Sequence, residues 1–384
     1  MKKSVLITIG VIILTLILGV WAYLFTYGVP KNADEVFARF GTATDAGTSV
    51  IVDSTRIDTQ DTTTTGAPQA LKQLTTRPVA GAGFVGTGNG IRYVEQGTGH
   101  IYEINLVTGE EKLVSGTTIP GTREAVFSSD GSYVAITMQE GNTEKTLVGT
   151  LDTGTQFKGV SLPVGATEIA FGNATGTVHY MVKETSGTVG YSYKIASDTS
   201  SRVFSLPLRD IHVLWGDSLY VYTTPTAQQE GYLYKVVQND LVYVTSGARG
   251  LTALTSKDTA LVTSSNGTEV TTSRIEHGFK DIPQPFPLIP EKCVVTSRAT
   301  YCAIPKENLD AQSFPDAWYK GTVSYTDSLW EIYVTDGGAT MVVDFLAESG
   351  RAIDVSTIGA NMSGALIYFI NKNDNTLWEF DTTL

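Results

Sequence analysis

Short apolar runs recur along most of this chain, separated by clusters of Ser, Thr, Asp and Gly. The stretch 124–137 shows the unit. Val126 and Phe127 end one run, residues 128–132 supply Ser, Asp and Gly, and residues 133–137 resume an extended run. Such spacing reads as strand, tight turn, strand. Seven segments have the pattern expected of a second strand in a repeated unit: 90–95, 132–138, 178–183, 218–224, 259–265, 300–305 and 365–371. Their centres, near Tyr93, Ala135, Tyr180, Val221, Val262, Cys302 and Phe369, step by 42, 45, 41, 41, 40 and 67 residues. Third strands follow at 99–104, 190–195, 231–236, 328–332 and 376–380, each placing an aromatic residue before a charged one. Glycines such as Gly109 and Gly154 supply the positive φ that a tight hairpin needs.

Five of the six steps fall within the roughly 40–45-residue period of four-stranded propeller blades. The long step leaves an insertion at roughly 306–326. The predicted fold is therefore all-β: a seven-bladed β-propeller of four-stranded antiparallel blades over residues 70–384. Stacking in a closed ring buries both faces of every blade. The last unit runs out of chain after three strands, at 351–357, 365–371 and 376–381. The run 71–75, upstream of the first unit, is expected to fill the missing slot. An open array would expose an unpaired edge.

The first 69 residues break the pattern. Residues 5–27 carry no acid or base and end in Trp21, Tyr23, Phe25 and Tyr27. As a helix they extend about 34 Å, enough to span a hydrocarbon core of about 30 Å. Their length and aromatic end distinguish them from a cleaved signal peptide. Lys2 and Lys3 orient a single-pass anchor, residues 1–27, with its N-terminus cytoplasmic and the rest extracytoplasmic. Residues 28–69, with the low-complexity run 61–66, read as a stalk.

Charge narrows the partners. The 27 basic and 39 acidic residues become 25 and 39 once Lys2 and Lys3 are set aside, a net −14. Such a surface repels phosphate backbones, so no nucleic-acid partner is expected. The expected partners are the membrane and a protein.

The segment 127–135, Phe-Ser-Ser-Asp-Gly-Ser-Tyr-Val-Ala, resembles the repeat signature of TolB-type, WD40-like (PD40) propellers. Residues 92–95, 99–104, 117–120, 292–293, 301–305 and 315–321 resemble a narrower group: single-pass membrane-anchored propeller proteins of small-genome bacteria. The resemblance spans about 70–384 plus the anchor. It implies fold, and through TolB a protein-binding role in a cell envelope. The narrower group implies no activity, and the extra domain of TolB is absent here.

Candidate chemistry is sparse. In a hairpin turning at Ser297-Arg298, residues whose numbers sum to 595 face each other, which places Cys293 opposite Cys302. That suits a disulfide, and an outside location permits oxidation. Reduced core cysteines and a metal site are the alternatives, although two thiols do not complete a tetrahedral site. His100, His179, His212 and His277 show no metal-ligand spacing and read as packed residues. No nucleophile elbow, phosphate loop or calcium loop is present. Residues 150–157 partly resemble a sialidase Asp box, a structural turn that occurs once. Pro283, Pro285, Pro287 and Pro290 read as a stiff spacer. The insertion brings Phe314, Trp318, Tyr319 and Tyr325 together as candidate partner-binding residues, or as a cap on the blade's own core. No catalytic residue, cofactor or metal is assigned. The expected role is a non-enzymatic protein-binding or scaffolding module. The alternative, a carbohydrate-binding or glycan-acting surface propeller, would be favoured by acids and aromatics at the mouth of the central channel.

Overall fold

The structure, a computed structural model, describes residues 69–151, 156–256, 259–276, 280–333 and 338–384. The predicted anchor and most of the stalk lie outside the described residues, as do His277 and residues 152–155 of the Asp-box-like stretch. Among the described residues no helix is long and apolar enough to cross a membrane.

Strand β1 (Leu71–Gln73) opens the fold. An antiparallel sheet follows, with β2 (Val79–Val85), β3 (Gly90–Glu95), β4 (Ile101–Asn105) and β5 (Glu111–Ser115) in chain order. The second sheet holds β6 (Thr122–Phe127), β7 (Tyr133–Glu140), β8 (Thr143–Thr150) and β9 (Lys158–Ser161). The third holds β10 (Ala166–Phe171), β11 (Thr177–Glu184), β12 (Gly187–Lys194) and β13 (Thr199–Leu206). Seven strands share the next sheet: β14 (Ile211–Leu214), β15 (Tyr220–Thr223), β16 (Glu230–Val237), β17 (Asp240–Ser256), β18 (Thr259–Ser265), β19 (Val270–Glu276) and β20 (Lys280–Pro283). Then come β21 (Cys293–Val295), β22 (Thr300–Pro305), β23 (Asp327–Ile332) and β24 (Ala339–Asp344). The last sheet orders β1 beside β27 (Leu377–Asp381), then β26 (Leu366–Asn371) and β25 (Val355–Ala360).

The seven predicted second-strand segments are all strands: β3, β7, β11, β15, β18, β22 and β26. The expectation of separate four-stranded units needs one correction. Strand β17 is 17 residues long and pairs with β16 through its first part and β18 through its last. Register shifts at Leu233/Tyr234 and Arg249/Thr252, with Gly250 at φ +60°, show how it continues. Bulges bend and twist a strand without ending it.

The sheets stack through apolar side chains. Val94 and Ile101 of the first sheet pack with Val134 and Ile136 of the second. Met181 and Phe204 of the third meet Val213 and Val221 of the seven-stranded sheet. Tyr301 and Ala303 pack with Ile367 and Phe369 of the last sheet. Ile370 and Leu377 return to Ile91 and Tyr93 of the first, so the stack closes on itself. Strand β1 sits at that closure, with Leu71 opposite Phe380 and Gln73 opposite Trp378. Leu74 N–H donates to Leu377 O at 2.8 Å, and Asp381 N–H to Ala70 O at 2.9 Å. Leu71 is 2% exposed, packed among Phe369, Trp378 and Phe380.

The first strands of several sheets face a common space. The later residues of β2, β6, β17, β21 and β25 line a cavity of about 970 Å³. Close approach of β2 to β6 demands glycine: a Cβ at Gly81 would lie 1.9 Å from the Ala125 carbonyl oxygen.

Candidate functional site at the two ends of the central cavity

The starts of the first strands carry the charge. Glu124-Ala-Val-Phe127, Glu168-Ile-Ala-Phe171 and His212-Val-Leu-Trp215 are spaced 44 residues apart and occupy equivalent places in β6, β10 and β14, with Trp215 one residue beyond β14. Bulges precede or include the two glutamates, at Thr122/Glu124 and Thr167/Ala170. Such irregularities re-aim side chains. Glu168 has φ +53°, unusual for a non-glycine residue. Three groups of the segment 212–215 hold it there. Trp215 Nε1–H donates to its carbonyl at 2.6 Å, Val213 N–H donates to Oε2 at 3.1 Å, and His212 Nδ1 lies 3.0 Å from Oε1. His212 stacks on Tyr222 with ring centroids 5.2 Å apart.

Glu291 and Tyr319 join this cluster from other elements. Glu291 lies two residues before β21, and Tyr319 ends the short helix α1 (Asp316–Tyr319) of the insertion. The Tyr319 hydroxyl donates to Glu291 Oε1, while Oε2 is buried without a hydrogen-bond partner. Burial pushes the Glu291 carboxyl upward against the opposing Tyr319 hydrogen bond and the His212 and Lys292 charges. Burial, then the charges of Glu168 and Glu144, likewise raises Glu124. Burial, then the negative charge of Glu291, pushes the Tyr222 and Tyr319 phenols well up. Glu124 and Tyr319 keep exposed surface, and burial of the rest of each side chain is the first cause of both shifts. Glu124, Glu144 and Glu168 also line a smaller cavity of about 450 Å³, which shares Glu124, Val126 and Leu254 with the larger one.

The other end of the first strands is different. The large cavity is walled there by small residues of β2 and by the turns after β6, β21 and β25. Its rim exposes Val295, Tyr333 and Met362, the last 85% exposed, beside Arg298. Gln284 turns a buried Oε1 without a hydrogen-bond partner among its lining residues.

The predicted site residues fall in two places. Cys293 and Cys302 are cross-strand partners and form a disulfide, with Cα atoms 4.1 Å apart. Of the insertion aromatics, Phe314 and Trp318 turn inward, 3% and 5% exposed, against Val270, Ile289 and Leu309. Tyr325 packs against the same cluster and Tyr319 alone is exposed, at 42%. Capping the blade's core is thus what Phe314 and Trp318 do. The polar edge of Trp318 explains the choice: its Nε1–H donates to Asp354 at 3.0 Å from Oδ1 and 3.2 Å from Oδ2. Beneath it, Lys292 reaches Asp327 and Asp354, and all three are fully buried.

No single sequence motif marks these acids. The repeated Glu-x-x-Phe at a 44-residue step was the available signal. Of the histidines, His179 stacks on Trp215 with centroids 5.0 Å apart and is pushed down by burial, and His100 lies 3.1 Å from the Thr118 hydroxyl. Among the described residues no group of His, Cys, Asp and Glu is placed to hold a metal ion.

The structural neighbours are β-propellers. One is the β-propeller domain of the Trilobed protease from Pyrococcus furiosus, described as having an open velcro topology. It is 9% identical, matched over 79% of this chain and 95% of that chain with a TM-score of 0.54. Another is the Cps50 (Swd1) β-propeller domain of Myceliophteria thermophila, 10% identical over 81% of this chain and 99% of that chain, TM-score 0.52. TolB from Acinetobacter baumannii is 15% identical over 55% of each chain, TM-score 0.40. No protein-family model and no curated protein matches the chain. The fold is a β-propeller, in keeping with the repeat signature at 127–135.

Proposed function

We propose that the chain is a membrane-anchored, extracytoplasmic, seven-bladed propeller that binds a segment of a protein partner and performs no catalysis. The blade count takes the seven-stranded sheet as two blades sharing β17. The anchor rests on the apolar run 5–27 and its flanking lysines. One observation carries the binding role. A cavity of about 970 Å³ opens beside exposed Val295, Tyr333 and Met362. That volume lies in the range of about 300–1,000 Å³ typical of ligand sites, and an apolar rim favours an apolar anchor from the partner.

A photo-crosslinking residue at position 362 tests this in intact cells. A discrete protein adduct is expected from position 362 and not from Leu113, which is 53% exposed on the fourth strand of the first sheet. No adduct, or the same adducts from both positions, would refute the reading.

The acids and rings at the other end favour a second reading, a propeller that binds or acts on glycans. Carboxyls raised by burial suit acid–base work, and aromatic faces suit sugar rings. Release of reducing ends from envelope glycans, lost in Glu124→Gln and Glu291→Gln, would support it over the first.

A further inference from the structure

Lys292, Asp327 and Asp354 form a triad without solvent access, each 0% exposed. Lys292 Nζ lies 2.9 and 2.7 Å from the two Asp327 oxygens and 2.5 Å from Asp354 Oδ1. The rings of Trp318 and Tyr325 close over it, with centroids 5.1 and 5.4 Å from Nζ. Every carboxylate is aimed by the backbone or an indole. Val355 N–H donates to Asp327 Oδ2 at 2.7 Å. Asp354 accepts from Trp318 Nε1–H and from Tyr325 N–H.

We infer that this triad is a self-modification site, in which Lys292 Nζ and Asp327 Cγ join in an isopeptide bond with Asp354 relaying the proton. Nζ contacts both Asp327 oxygens, which brackets Cγ and holds the nitrogen beside the carbon it must reach. Asp354 takes a proton from the ammonium, freeing the lone pair that attacks Cγ. Val355 N–H holds the charge that develops on Oδ2. Asp354 then returns its proton to Oδ1, the Cγ–Oδ1 bond breaks, and the oxygen departs as water after collecting the second amine proton. Ammonium and carboxylate become amide and water. Nothing is oxidised or reduced, and no co-reactant is consumed.

Two conditions favour the step. Burial pushes the Asp327 carboxyl up to about 6, against the opposing Lys292 charge, so its oxygen accepts the relayed proton more readily. The amide also replaces the buried Lys292–Asp327 ion pair, while the Asp354 carboxylate stays hydrogen-bonded by Trp318 Nε1–H and Tyr325 N–H. The bond would tie the start of β21 to β23 and lock the insertion at its base.

The full chain, extracted in detergent, denatured, reduced, alkylated and digested with trypsin, decides it. The expected product is a branched peptide joining the Lys292 and Asp327 segments, one water lighter than the two together, with no cleavage after Lys292. A linear peptide ending at Lys292, or a branch to Asp354, overturns the proposal. Asp354→Asn, folded by circular dichroism and still carrying the Cys293–Cys302 disulfide, should lose the branched peptide. Its persistence there would overturn the relay. If that variant fails to fold, the wild-type digest still decides the bond.

Discussion

Two regions fasten distant parts of this chain together, by opposite chemistry. At the closure, β1 reaches β27 across the whole fold using backbone hydrogen bonds and one apolar side chain, Leu71. At the insertion, Lys292, Asp327 and Asp354 are joined by buried charge, with Trp318 as lid. The apolar closure tolerates some imprecision in side-chain shape, provided its register keeps Leu71 on the buried face. The charged junction tolerates none, because each member is costly to bury alone. Closure by a strand is therefore a property of the ring, while the junction belongs to one inserted segment.

The largest effect should come from breaking the closure. A chain lacking residues 28–66 should melt as the intact chain does, whereas one lacking 28–76 loses Leu71 burial and exposes the β27 edge. Leu71→Ala alone should cost about 2–5 kcal/mol, and the strand deletion more. Equal thermal midpoints for the two deletions would move the closure elsewhere, with residues 49–53 the next candidate.

Breaking the junction should rank next. Lys292→Met strands two buried carboxylates and removes any bond to Asp327; loss of one partner of a buried pair alone costs about 3–5 kcal/mol. Chemical denaturation read by Trp fluorescence measures it. An unchanged midpoint would mean that water reaches Asp327 and Asp354.

The disulfide offers a smaller cut. In the loop-entropy account the ring between Cys293 and Cys302 contributes about 2.5–3 kcal/mol. The Cys293→Ala/Cys302→Ala pair should lose about that, less if the buried sites repack well. A loss beyond about 5 kcal/mol would show that the bridge holds more than its own hairpin.

These contrasts explain what was legible in the sequence. The second strands were readable because turn residues punctuate them at a fixed step. The closing strand followed from counting, since the last unit stops after β27. The cysteine register followed from one hairpin turn. The continuity of β17 was hidden because a bulge uses the same residue as a turn: Gly250 at φ +60° bends the strand without ending it. The junction was hidden because Lys292, Asp327 and Asp354 lie 35 and 62 residues apart in their contacts. Each, alone, looks like a solvated charge. Aromatic content announced the insertion, but only the buried acceptor on Asp354 decides that Trp318 turns inward.

The smallest expected effect sharpens the comparison from a third charged place, where a carboxylate has been left only half satisfied. Glu291 accepts from Tyr319 through Oε1, and its Oε2 is buried without a partner. Its carboxyl is raised by burial. A raised acid binds its proton more tightly in the folded state than in the unfolded one. Its contribution to stability is whole below the ordinary glutamate range and is lost as pH rises through the raised folded value. Glu291→Gln keeps the neutral shape and removes the ionisation. The variant should melt above the wild type at neutral pH, and the gap should close in acid. A gap that stays constant with pH, or a variant that melts lower at neutral pH, would mean that the ionised Glu291 is stabilised there by its neighbours, His212 and Lys292 first among them.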